Sequence, residues 1–355
     1  MRGTRRSGTF RGASVALPPA IHPPPHRPPV SEKTTAFVSH HDCPRHDTGW
    51  GHVDHQGRLP AIVRAVYKDM LTLFDPLLEV EAVPATEDDL RLVHTAEHVQ
   101  RVRETAERAL AEGAILEVDG VPVSGATWEA ALAAAGAGIT AADAVLRGDA
   151  RNAFCLVRPH GRGARPDAAG ELGFFNNVAI TTRHLRQREG LERVLVVDLG
   201  IRPPATAEIV GAEEGVTFLS IHQHPGSFPT PEPTEPPPAG VVPERWIALA
   251  PGSGGAEVEA ALRNALATIP AAESPDIVLL GLGLHVLAGD PLGQLAVQPD
   301  EVYAITALLR AWADEHAAGR LVSILEGGYV REGLGRASVQ HLRALAGLPR
   351  LPAGE

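Results

Sequence analysis

Five short stretches of this chain place charged, imidazole or phenol groups directly after an apolar run. NAFCLV is followed by Arg158-Pro-His160-Gly-Arg162-Gly163, VLVV by Asp198, Gly200 and Arg202, and VTFLS by His222-Gln-His224. DIVLLGLG leads into His285 and Asp290, and RLVSIL into Glu326-Gly-Gly-Tyr329. Such groups beside glycine-rich turns can bind a metal, move a proton or hold a polar ligand. The glycines allow the backbone close to that ligand. The stretch VLVVDLGIRPP, residues 194–204, is the odd one. Its Asp198 is followed by a glycine, an arginine and two prolines, a poor set for a metal or a nucleophile. A guanidinium stays protonated, so Arg162 and Arg202 suit a carboxylate or phosphate instead.

The elements that must position these groups alternate in type. A first strand is expected at AFVS (36–39), a helix over Arg58–Phe74, and a helix opened by a capping box from Thr86 to Asp89 and running through LVHTAEHVQRVRETAERAL. An alanine-rich helix follows at Thr127–Leu146, with others near Asn177–Arg188, 255–268, 300–318 and 332–346. Unbroken apolar strands separated by helices imply a mostly parallel sheet buried on both faces. In such sheets, ligands bind beyond the carboxyl ends of the strands. The expected fold is one doubly wound α/β domain over residues 34–350. The proline cluster at 229–238 cannot continue a strand or helix and reads as a surface loop.

Composition narrows the function classes. The chain has 355 residues, 44% of them hydrophobic, and a net charge of −11, which argues against a dedicated nucleic-acid binder. Its two cysteines, Cys43 and Cys155, make a disulfide framework improbable and point to a reducing, cytoplasmic location. No unbroken run of ~18 apolar residues is present, so no membrane span is expected. Residues 1–33, rich in Arg and Pro, read as a disordered leader or an over-long start. His40, His41, His46, His52 and His55 resemble a metal cluster by count, but their spacing fits no standard site, so structural or surface roles are expected.

The order and wording of these blocks resemble the histone deacetylase and acetylpolyamine amidohydrolase superfamily over about residues 35 to 346. HDTGWGHVDHQGRLPAI (46–62), LVHTAEHV (92–99), FCLVRPHGRGA (154–164), GFFNNVAI (173–180), LSIHQ (219–223), APGSGG (250–255), GDPLG (289–293) and LEGGY (325–329) carry the resemblance. It implies an arginase-like α/β fold and a zinc-dependent amide hydrolase. The family's zinc is held by an aspartate, a histidine and a second aspartate. Those positions fall on Gly200, Arg202 and His285 here. The family's paired histidines, general base and partner, fall on Arg162 and Gly163. The carbonyl-polarising tyrosine alone is kept, as Tyr329. Asp198, Ser220 and the backbone near Ile221 match a buried monovalent-cation (potassium) site of the family.

These substitutions imply a pseudo-deacetylase whose pocket, around Arg162, Asp198, Leu172, Arg202, His222 and His285, binds a small ligand, with an anion as the expected class. Against this stands a closed, decayed pocket. A second reading keeps a zinc deacetylase or deacylase, with His160, His222 or His224 joining His285 as substitute ligands. A third is a protein-interaction module, paired with itself or an active paralogue, using the Pro-x-x-Pro spacing of Pro233 and Pro236.

Overall fold

The apolar run that ends on Asp198 forms a strand with all six residues buried, Val194–Leu199. It lies inside an eight-stranded sheet in this computed structural model, which describes residues 35–228, 230 and 236–352 together with Met1 and Gly3. The strands are β1 (Thr35–Ser39), β2 (Leu77–Glu81), β3 (Asn152–Leu156), β4 (Val194–Leu199), β5 (Val216–Gln223), β6 (Trp246–Leu249), β7 (Ile277–Leu282) and β8 (Leu321–Leu325). Their order is β2-β1-β3-β8-β7-β4-β5-β6, and every pairing is parallel. The five strands with polar tails are therefore contiguous, β3-β8-β7-β4-β5. Parallel pairing brings all five carboxyl ends to one edge.

The central strands β3, β4, β7 and β8 are buried at every residue, which requires cover on both faces. Helices Thr127–Arg147 and Asn177–Gln187 pack together, as do Val302–His316 and Leu334–Leu345. Helix Thr127–Arg147 is long and apolar enough to cross a membrane by length and composition, which a search for an unbroken apolar run missed. It lies largely inside the protein, with Gly136 in such close contact that a Cβ there would stand 2.0 Å from the Val83 carbonyl oxygen. Asn177–Gln187 starts on Asn176, whose side-chain oxygen accepts from the Ala179 amide.

Two expected helices divide. Arg58–Phe74 breaks at Asp69 into Arg58–Lys68 and Met70–Leu73. The capping box at Thr86 opens only Glu87–Leu90, and Thr95 caps a separate helix, Ala96–Glu112. Two edge strands went unread: β2, because LLEVE alternates apolar and acidic residues, and β6, because WIAL is short. The expected leader, residues 1–33, lies outside the described residues apart from Met1 and Gly3. Most of the proline cluster, Pro233 included, lies outside them too.

Candidate functional site

The tail of β3 builds the floor of the site. Arg158 is fully buried, and its guanidinium donates to Asp54 Oδ1 at 3.0 Å, to Thr48 Oγ1 at 3.3 Å and to the carbonyls of His46 and Asp54. Asp54 also takes the Arg58 guanidinium, so one buried carboxylate joins two cations. These partners fix the course of the chain toward His160. The His160 Nε2 shares a hydrogen bond with the Tyr329 hydroxyl at 2.8 Å. Burial holds the His160 imidazole neutral, at about 3.

Arg162 follows, and its side chain turns inward. Its Nη2 donates to Asp198 Oδ2 at 2.7 Å and to the Arg202 carbonyl at 2.6 Å. Its Nε faces Asp198 Oδ1 at 3.4 Å and its Nη1 faces Glu171 Oε2 at 3.3 Å. Burial alone would disfavour the charge, but the Asp198 and Glu171 carboxylates outweigh it and hold the guanidinium above its ordinary range. The Gly161 and Arg162 amides both donate to Glu326 Oε2 at 2.8 Å, which ties this loop to the end of β8. Burial nevertheless pushes the Glu326 carboxyl up to about 8.

Position 200 now has a physical explanation. A Cβ on Gly200 would stand 2.2 Å from Arg162 Nη2 and 2.5 Å from its Cζ. A side chain at 200 and this guanidinium cannot share the space. A zinc ion needs three or four convergent nitrogen, oxygen or thiolate ligands. Here position 200 supplies none, Arg202 supplies a cation, and a second cation fills the gap. His285 alone is an imidazole. Among the described residues, no three His, Cys, Asp or Glu ligand atoms in this pocket lie within 4.8 Å of one another. The residues present do not fit zinc.

Of the substitute ligands, His160 shares a cavity with His285 but His222 and His224 do not. His222 Nδ1 pairs with Ser220 Oγ at 2.9 Å while its ring packs edge-on against Trp246, and His224 is exposed. The monovalent-cation positions Asp198, Ser220 and Ile221 end up beside one another on β4 and β5, but both Asp198 oxygens face Arg162. A tethered guanidinium stands where an ion would need that carboxylate.

What remains open is a cavity of about 270 Å³. Val53, Leu172, Ile201 and Leu292 give it apolar walls, with His160, His285 and Tyr329 as its polar groups and Glu171 and Arg202 as its charges. His285 is 3% exposed, and neither ring nitrogen has a hydrogen-bond partner. Burial, then Arg162, push it well below the usual imidazole range. Its ring stacks parallel to that of Tyr329, whose amide donates to Asp290 Oδ2 at 2.7 Å. The Arg58 guanidinium also lies over the Tyr329 ring, 4.6 Å from its centre.

Of the expected pocket residues, Leu172, Arg202, His285 and Tyr329 line the cavity. Three need correction. Arg162 and Asp198 lie beneath the cavity as a buried ion pair, and His222 points to Trp246. The expectation of two guanidiniums facing one anion fails for Arg162, whose charge is already matched by the Asp198 and Glu171 carboxylates, while Arg202 lines the cavity wall. Arg202 also lies against the Phe228 ring at 4.3 Å. Glu171 escaped the sequence reading. It and Leu172 have φ of 48° and 75°, a region costly for side-chain-bearing residues, in the turn closed by Gly170 and Gly173. Leu172 of the same turn is among the expected pocket residues, but nothing in the local sequence marks Glu171.

The histone deacetylase domain matches residues 52–345. Among curated proteins, "Histone deacetylase 10, chloroplastic" of rice is 32% identical over 85% of this chain and 71% of its own length. The human "Polyamine deacetylase HDAC10" is 32% identical over 78% of this chain, though the match spans 42% of that protein. "Histone deacetylase-like amidohydrolase" of Pseudomonas aeruginosa is 34% identical over 70% of this chain and 65% of its own length. The crystal structure of the HDA15 HD domain superposes with a TM-score of 0.79 at 26% identity, covering 91% of both chains.

Proposed function

The chain belongs to the histone deacetylase domain family, and from that premise we propose that it is a non-hydrolytic member that uses the remodelled pocket to bind a small ligand. The observation that carries this is the Arg162 guanidinium lying 2.2 Å from where a side chain at 200 would begin. Amide hydrolysis near neutral pH needs an activated water, and in metal-dependent sites the ion lowers the pKa of that water. Arg162 takes the general-base position of the family and Gly163 its partner, so neither half of the hydrolytic apparatus has a counterpart in this pocket.

The pocket itself suits a ligand with an accepting oxygen. Neutral His285 and His160 offer N–H donors without charge, and Arg202 places a positive charge at the cavity wall. The Val53, Ile201 and Leu292 side chains supply apolar contact for a short carbon chain. The test is a thermal-shift screen of small carboxylates and amides against the metal-free protein, beside deacetylation assays on acetyl-lysine peptide and acetylpolyamine. A ligand-dependent shift lost in His285→Ala and weakened in Arg202→Ala, with no deacetylation, is the expected result. Zinc-dependent turnover that is abolished in His285→Ala would overturn the proposal.

A further inference from the structure

At one lateral end of the sheet, on the same carboxyl-end side as the pocket, β1 and β2 run parallel with Ser39 opposite Glu81. The two residues that follow Ser39 are His40 and His41, so the chain delivers two imidazoles beside a carboxylate as the strands end. The rings of His40 and His41 stack with centres 4.3 Å apart. His41 Nδ1 lies 3.0 Å from Glu81 Oε1. One ligand atom from each of His40, His41 and Glu81 falls within 4.8 Å of the other two. Asp42 adds a second carboxylate in reach, 3.5 Å from His40 Nδ1 and 3.8 Å from His41 Nε2, although Arg45 competes for it at 2.5 Å.

We propose that His40, His41 and Glu81 form a divalent transition-metal site, separate from the deacetylase-type pocket. Two imidazoles and a carboxylate are a ligand set that zinc accepts, with copper, nickel and iron(II) as competitors. A tetrahedral zinc with bonds of ~2.1 Å keeps its ligands ~3.4 Å apart. His41 and Glu81 are both 70% exposed, so a rotamer change in each can close the remaining distance. His40 is nearly buried and gives the site its fixed point. A groove of about 500 Å³, bounded by Pro44, Leu59, Val63 and Glu79, adjoins the cluster. With three protein ligands, a fourth position would remain for a water or an oxygen-bearing ligand. The sequence spacing hid this site because Glu81 is forty residues away and joins only through strand pairing.

The experiment is a zinc titration of the untagged, metal-stripped full chain against a fluorescent zinc indicator. Wild type is expected to bind one equivalent in competition with the indicator. His41→Ala and Glu81→Gln alter exposed side chains and should each weaken binding at least ~10-fold, the usual cost of an impaired metal-site contact. His285→Ala should leave the titration unchanged. Loss of binding in His285→Ala, unaltered binding in both edge variants, or no saturable binding by wild type would each overturn the assignment. Zinc spectroscopy with cobalt as a substitute gives a second reading: a tetrahedral visible band in wild type that disappears in His41→Ala supports the site, and a band that survives refutes it.

Discussion

Arg162 Nη2 donates to Asp198 Oδ2 at 2.7 Å, linking the loop after β3 to the end of β4 across the two strands that separate them. Both side chains are buried, at 0% and 4% exposure. A charge pair this deep depends on both members, because removing one leaves the other desolvated and unmatched. The same guanidinium also occupies the volume a residue-200 side chain would need, so one contact accounts for both the glycine and the buried aspartate.

Arg162→Met should therefore destabilise the fold by roughly 3–5 kcal/mol, the usual cost of stranding a buried charge. Arg162→Ala should show a second signature, a melting temperature raised by millimolar ethylguanidinium that leaves wild type unmoved. Thermal unfolding with and without the cation checks it. Equal stability of the methionine variant and wild type would contradict the buried pair.

Gly200→Ala should cost ~1–3 kcal/mol, as overpacking of a filled space does. The penalty should shrink sharply in an Arg162→Ala background, because the clash is with that side chain. A double-mutant cycle by urea unfolding measures this coupling. Additive effects would show that the glycine is needed for some other reason.

Glu326 predicts a pH dependence. Its folded pKa, about 8, lies above the unfolded value near 4.5, so its contribution is complete below ~4.5 and is lost as pH rises through about 8. Buried histidines such as His160 and His222, lowered to about 3, act the other way and lose stability as pH falls below ~6.5. The window from pH 6.5 to 8 therefore isolates the carboxyl. Denaturant unfolding should show stability falling across that window in wild type, and a flatter profile in Glu326→Gln, whose amide oxygen can still accept from Gly161 and Arg162.

Restoring the zinc ligands should require removing the guanidinium as well. Gly200→Asp with Arg202→His and His285→Asp should bind zinc at least ~10-fold more weakly with Arg162 present than with Arg162→His, since a fixed cation repels a divalent ion in a buried site. Zinc affinity of the two combined variants, both with Glu81→Gln, decides it.

The strands that carry the site were legible because their sequences are unbroken apolar runs, and their parallel order followed from the helices between them. Asp198, His285 and Tyr329 could be placed by their position after those runs. The pairing of Arg162 with Asp198 could not, because it depends on which way one side chain turns once position 200 lacks a Cβ. Glu171 reaches the site from a tight turn without any apolar run before it. The His40–His41–Glu81 grouping depends on pairing of β2, a strand whose acidic alternation resembles loop sequence.

Zinc content tests most directly whether the pocket holds a metal. Untagged Glu81→Gln protein, in which the edge cluster is disabled, is incubated with zinc, desalted and measured by inductively coupled plasma mass spectrometry. Zinc well below one equivalent is the predicted result. One tight equivalent that disappears on His285→Ala would contradict it.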